Sequence, residues 1–193
     1  MNLQRVGTLI ATAAAVVAGV LALFGGVLRR LVPPTSELSP IQAVGMASLA
    51  SLLLLFLIVL VMPKQPTTRQ RYRIAAFGAV IGLAAVVLLF LHIGRMNTYV
   101  FEYAAPGDGA SELHVRGEWS KMGQAMARDM SIVEAVRNAG GLDKAEGNQL
   151  LWTEESRKQV ELRLLASYVA AVSLFCLALF SVAVAVISAR RAG

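Results

Sequence analysis

The sequence predicts an all-α integral membrane protein: a four-transmembrane-helix bundle with a small α+β domain, a β-hairpin plus short helices, inserted between helices 3 and 4. The fourth helix is expected to be long and to extend out of the bilayer. Three observations predict this. Only 16% of the 193 residues are charged, against about 25% in an ordinary soluble domain. The deficit is concentrated in four nearly charge-free blocks, each close to the ~20 residues of helix that cross a hydrocarbon core. Between the third and fourth blocks lies a stretch with ordinary charge content and turn signals. Inside a bilayer the backbone must satisfy its own hydrogen bonds, so the blocks are expected to be helices.

Residues 1–94 carry the first three spans, at about 6–28, 41–62 and 74–94. The first follows Arg5 and resembles a signal peptide, but it exceeds the ~7–15 apolar residues of a signal core and ends in no small-x-small cleavage pattern. Retention of residues 1–28 is therefore expected; cleavage would leave three spans. The fourth span covers about 164–188 within a segment 164–193 that ends in a basic tail. Both termini and the 63–73 loop then fall on one side, with Arg5, Lys64, Arg69, Arg71, Arg73, Arg190 and Arg191. Arg29 and Arg30 lie on the other. This asymmetry favours cytoplasmic termini and an extracytoplasmic 95–163 segment in a cell membrane such as a bacterial inner membrane. Arg95, Arg157, Lys158 and Arg163, close to the membrane ends of the long loop, weaken the contrast.

Small residues recur at helical spacing in the spans: Ala14, Ala18, Ala22 and Gly26, a parallel set Gly7, Ala11, Ala15 and Gly19, and a GxxxG pair, Gly78 and Gly82. Ala43, Ala47 and Ser51 repeat the pattern in the second span, and Ser181, Ala185 and Ala189 in the fourth. Such ladders let helix backbones approach closely, within one bundle or between subunits. The centres of the spans contain no ionisable side chain, and His92 stands at the end of the third as an expected interfacial anchor. Proton-coupled transport loses weight accordingly, whereas an oligomeric pore does not need such groups.

In the 95–163 domain, "TYVFEY", the turn cluster "APGDGA" and "SELHVRGEW" predict a hairpin over about 98–116, with Tyr99, Phe101 and Tyr103 on one face. Trp119, Met122, Met126 and Met130 recur on one face of a helix expected over about 119–130. Gly123 weakens that helix. Ser131 and Glu134 form an S-x-x-E capping box opening a helix over about 132–139. Gly140 and Gly141 stop it, and a short helical segment follows over about 142–151. Thr153 is a fresh N-cap, with Glu154 and Glu155 favourable to the helix dipole. Glu154 and Lys158 are spaced for an ion pair. From there one helix runs from about 154 to 189, standing two to three turns out of the bilayer.

Chemistry-bearing motifs are sparse. The single cysteine, Cys176, lies mid-span as an apolar packing residue and excludes an internal disulfide. The net charge of +6 does not point to nucleic acid, because residues 95–163 carry a net −2 and the positive charge flanks the spans. No P-loop, GxGxxG, HExxH, GxSxG or calcium-loop pattern occurs. The one metal-like constellation is Glu112 and His114 on a strand, with Glu102 across the hairpin; a solvated polar face is the plainer reading. No cofactor is implied.

The expected function is a non-catalytic, membrane-anchored interaction or sensor module whose 95–163 domain binds a protein, peptide or small ligand. Its expected partners are membrane lipids and either another membrane protein or a second copy, with no nucleic acid. Trp119, Met122, Met126, Met130 and Trp152 are the candidate contacts, since methionine-rich faces adapt to varied surfaces. The alternative is a self-associating pore or membrane-disrupting effector, with Ala14, Ala18, Ala22, Gly26, Gly78 and Gly82 as helix-packing or subunit contacts. A membrane-embedded enzyme ranks third.

Overall fold

The computed structural model describes residues 3–26, 29–36, 39–61, 66–104 and 111–190. It is mostly helical: α1 (Leu3–Gly25), α2 (Pro40–Val61), α3 (Thr68–Tyr99), β1 (Val100–Tyr103), β2 (Glu112–Val115), α4 (Lys121–Met126), α5 (Ile132–Asn138), α6 (Leu142–Gly147) and α7 (Glu154–Arg190), with one 3-10 turn at Arg29–Leu31. Among the described residues three helices, α2, α3 and α7, are long and apolar enough to cross a membrane. The apolar part of α1 runs only from Gly7 to Leu23. The chain divides into two compact units. One comprises residues 1–32, 41–91 and 167–193, the other 33–40 and 92–166.

In the first unit α7 is the most enclosed helix. It buries Ala171, Val172, Cys176, Phe180, Ser181 and Val184, on several faces rather than one. The other helices bury single stripes: Ala13, Val17 and Val20 in α1, and Ala43, Ala47, Ser51 and Leu55 in α2, all at three- or four-residue steps. Small side chains at these positions let helix backbones come close. At Gly78 of α3 an added Cβ would lie 2.9 Å from Ser181 Cβ and 3.2 Å from the Ala178 carbonyl oxygen. Gly82 approaches Ala178 in the same way, with room for a Cβ at 3.5 Å. Ser51 Oγ donates to the Ala47 carbonyl and lies 3.2 Å from Ser173 Oγ of α7, so that these buried hydroxyls satisfy one another. The α1 ladders differ. Ala14, Ala18, Ala22 and Gly26 are exposed, as are Gly7, Ala11, Ala15 and Gly19. At the start of α3, Thr67 caps the helix reciprocally: its N–H donates to Gln70 Oε1 at 2.8 Å, and the Gln70 N–H donates to Thr67 Oγ1 at 3.3 Å. The helix therefore starts at Thr68 rather than at 74 and continues to Tyr99, taking up the residues expected to open the hairpin.

The second unit is built on the last turns of α3 and the first of α7. β1 and β2 pair antiparallel, with Val100 opposite Val115, Phe101 opposite His114, Glu102 opposite Leu113 and Tyr103 opposite Glu112. The turn "APGDGA" lies outside the described residues. One hairpin face carries Phe101 and Tyr103 into a cluster with Ala135, Val136, Ala145, Leu151 and Trp152. Val115 belongs instead to a second cluster with Met96, Val160 and Leu164. The hairpin is thus packed on both sides, as a two-stranded ribbon must be to persist in water.

Ser131 caps α5 through the capping box expected at S-x-x-E. The helix ends in a Schellman motif. The Gly140 N–H donates to Arg137 O, the Gly141 N–H donates to Val136 O at 3.0 Å, and Gly140 adopts φ +89°. Thr153 Oγ1 accepts from the Ser156 N–H at 3.1 Å and opens α7, and Lys158 Nζ meets Glu154 at 2.9 Å.

Candidate functional site

Trp152 organises the second unit. It is 1% exposed and meets Phe101 and Trp119 edge-on, at centroid distances of 6.1 and 5.7 Å. Its indole Nε1 is buried and has no hydrogen-bond partner among the described residues, so its contribution here is aromatic surface rather than polar bonding. Trp152 is a core residue and is not available to a partner while the unit is folded.

The Trp/Met series does not form one helical face. Ser120 caps α4 by accepting from the Gly123 N–H, and the helix closes at Ala127. Trp119 and Met130 therefore lie outside it. Trp119, Met126 and Met130 are half-buried against the Trp152 cluster, whereas Met122 is 57% exposed. The period-of-helix expectation fails because six residues complete less than two turns. Gly123 has a reason other than weak propensity: an added Cβ would lie 2.9 Å from Trp119 and 3.0 Å from Leu151 Cα. The Ser120 N–H and Oγ donate to the carbonyls of Leu151 and Leu150 at 2.7 and 2.6 Å, fixing α4 on that strip of backbone. Gly117 is equally close to Trp152, Arg157 and Ser156.

The residues proposed for a metal do not converge. His114 shares its face with Phe101 and Tyr103, whose rings lie 6.1 and 6.2 Å away. Glu102 pairs with Leu113 in the alternate register position and so points to the other face. Glu102 instead accepts from Ser111 Oγ at 3.3 Å. Among the described residues no group of three potential ligands comes together. Burial lowers the His114 pKa from its ordinary 6.5; Glu112 opposes this and Arg157 reinforces it. His114 is a partly buried ring among aromatic neighbours.

Charged residues of the second unit form two further arrangements that spacing alone did not indicate. Arg157 Nε meets Glu146 Oε1 at 2.7 Å, while its Nη1 lies 3.5 Å from Glu161, which is 8% exposed at its side chain. Glu161 Oε2 in turn accepts from the N–H and Oγ of Ser36, at 3.2 and 2.9 Å. One arginine thereby ties α6 to α7 and helps hold the carboxylate that anchors the 33–36 segment. Asp143, Glu146, Gly147, Gln149, Glu154 and Arg157 surround a shallow depression of about 360 Å³ beside it.

The second arrangement is basic. Arg95, Tyr99, Val160, Arg163 and Leu164 line a cleft of about 260 Å³. Arg163 Nη1 bonds Glu118 at 2.9 Å on the open side. Behind the cleft the Arg116 guanidinium stacks over the Tyr99 ring at 5.0 Å and over Trp119 at 4.8 Å. Its Nε donates to the Thr98 carbonyl at 3.0 Å. These residues had a signal in the sequence: Arg95 immediately follows the third charge-free block, and Arg163 immediately precedes the fourth. No protein-family model matches the chain, and no curated protein or solved structure matches it.

Proposed function

We propose that this chain is a four-span, membrane-anchored interaction module whose 92–166 unit presents a binding surface to another membrane protein. The observation that carries the reading is the closed aromatic core around Trp152. A segment that buries its tryptophan within its own hairpin and short helices is a folded domain rather than a linker between spans. Among the described residues its exposed large apolar side chains are Leu113, Met122 and Leu162, and of these Met122 is the one on α4, whose Met126 packs against that core. Half-buried Trp119, Met126 and Met130 form the ground beneath. A polarizable methionine at such a position suits a contact surface.

The test is photo-crosslinking from position 122 in native membranes, with position 135 in the buried core as control. Covalent capture of a distinct membrane protein from position 122 alone is expected. Capture of lipid only, or of nothing, overturns the reading.

A self-associating assembly is the second reading, because Ala14, Ala18 and Ala22 of α1 and Gly26 just after it lie exposed. Small side chains on an outward helix face admit a second helix at short distance. Capture of the chain by itself from position 18 and not from position 122 would favour that reading over the first.

A further inference from the structure

We propose that the cleft between Arg95 and Arg163 binds the phosphate of an anionic phospholipid headgroup. The inference rests on the reading that the long apolar helices span a bilayer, and it is independent of any protein partner.

Two arginines on different helices, α3 and α7, line one cleft of about 260 Å³. A cleft of that size accommodates a headgroup phosphate and its glycerol but not acyl chains. The guanidinium fork matches phosphate oxygens in pairs. The remaining lining divides by chemistry: Tyr99 is aromatic with a hydroxyl, and Val160 and Leu164 are aliphatic. Such a wall suits the point where a polar headgroup passes into hydrocarbon.

Position along the chain argues for a lipid rather than a soluble anion. Arg95 is the first charged residue after the uncharged run from 74 to 94, and Arg163 the last before the run from 164 to 188. In antiparallel helices, two such boundaries meeting at one cleft place it where apolar helix surface gives way to charge. In a spanning protein that is the depth of the phosphates, where basic pockets between helices take anionic headgroups.

The electrostatics are favourable. Among the described residues no carboxylate lies within ion-pair distance of Arg95. Arg163 has one, Glu118, but both side chains are 59% exposed, and an exposed pair contributes little. Glu118 leaves the other Arg163 nitrogens free of carboxylate. Arg116 adds a third positive charge behind the Tyr99 ring and fixes that ring's position through its stack and its bond to Thr98 O. It is a positioning residue here.

The experiment titrates the full-length chain in mild detergent with short-chain phosphatidylglycerol, phosphatidylcholine or inorganic phosphate, and counts adducts by native mass spectrometry. Phosphatidylglycerol is expected to bind in preference to phosphatidylcholine, and inorganic phosphate to bind far more weakly. Arg95→Gln with Arg163→Gln should weaken phosphatidylglycerol about tenfold or more, the scale of losing charge-assisted bonds. Glu118→Gln should strengthen it. Arg95→Lys with Arg163→Lys preserves charge, and therefore fold, but loses the paired geometry; a weakening of several-fold is expected even if the glutamine pair misfolds. Unchanged phosphatidylglycerol binding in a folded glutamine or lysine pair overturns the proposal. So does arginine-dependent binding of inorganic phosphate without lipid binding. Recovery of the protein in the soluble fraction after alkaline extraction of membranes would instead remove the spanning reading itself, and the lipid site with it.

Discussion

Arg157 Nε and Glu146 Oε1 face each other at 2.7 Å, and neither atom has another hydrogen-bonding partner among the described residues. The pair is about a fifth exposed on each side, so it is neither a fully screened surface contact nor a dry one. Its weight comes from a second link: the same guanidinium reaches Glu161, which accepts both donors of Ser36. Arg157→Met removes the charge and retains most of the apolar stem. It should cost about 1–3 kcal/mol, below the loss for a fully buried broken pair. Glu146→Gln, which keeps a neutral acceptor, should cost less. Hydrogen exchange reads the difference locally: α6 and the Thr35 and Ser36 amides should lose protection together in Arg157→Met. Loss confined to α6 would show that Glu161 holds the 33–36 segment without help.

The glycines of the second unit divide by what surrounds them. Gly123→Ala would place a methyl against the Leu151 backbone, which cannot move aside as a flexible side chain can, and Gly117→Ala would place one against the Ser156 hydroxyl, Trp152 Cβ and the Arg157 backbone nitrogen together. A loss of about 1–3 kcal/mol or more is expected for each. Gly147 has nothing within 4 Å and closes α6. There Gly147→Ala should be neutral or stabilise by about 0.4–1 kcal/mol through the unfolded chain. Protease resistance of the full chain in detergent ranks the three. If Gly147→Ala ranks with the other two, the assignment of close approach to Gly117 and Gly123 loses its basis.

Legibility in the sequence tracks the range of the interaction. Caps and stops are local. Ser131 with Glu134, Gly140 with Gly141, and Thr153 ahead of α7 each declare themselves within four residues, and each is found. The box in "TTRQ", Thr67 with Gln70, is just as local, but it lies in charged sequence ahead of residue 74, where charge content alone would begin the helix. Charge is a good guide to where a helix is apolar and a poor one to where it begins. The Trp/Met stripe failed for a complementary reason. A period of 3.6 has meaning only while the helix lasts, and Ser120 and Ala127 bound it to six residues. Arg157 and Glu161 have i,i+4 spacing, but the links to Glu146 and Ser36, like the basic cleft, join residues farther apart in the chain, where spacing carries no information.

Acidification should loosen the second unit in two stages. Burial lowers the His114 pKa in the folded chain. The neutral ring therefore contributes stability that is fully present above the unfolded value of 6.5 and is lost as pH falls through the folded value. Glu134 follows the same sign lower down. Its bonds from the Ser131 backbone and side chain depress its pKa below 4.5, so its contribution disappears only as pH falls beneath that. Melting of the unit, followed by the fluorescence of Trp119 and Trp152, should shift downward between about pH 7 and 5 in the wild type. His114→Gln should flatten that step and leave the one below pH 4.5 unchanged. A step near neutral pH that persists in His114→Gln would assign it to another group.

The two kinds of small-residue ladder make opposite demands on the same test. Gly78 sits against Ser181 and the Ala178 carbonyl, so Gly78→Leu must push α3 from α7 or bend a helix. Ala14 and Ala18 are exposed on α1, so among the described residues Ala14→Leu with Ala18→Leu has room. Gly78→Leu should therefore lower the thermal stability of the monomer in detergent, by about 1–3 kcal/mol on the scale of overpacking. The α1 pair should leave it unchanged. Size-exclusion with light scattering then separates packing from assembly. If the exposed ladder meets a second copy, the α1 pair reduces the particle mass without altering monomer stability. If mass and stability both stay constant, the exposed alanines are lipid-facing, and the self-associating reading loses its support in α1.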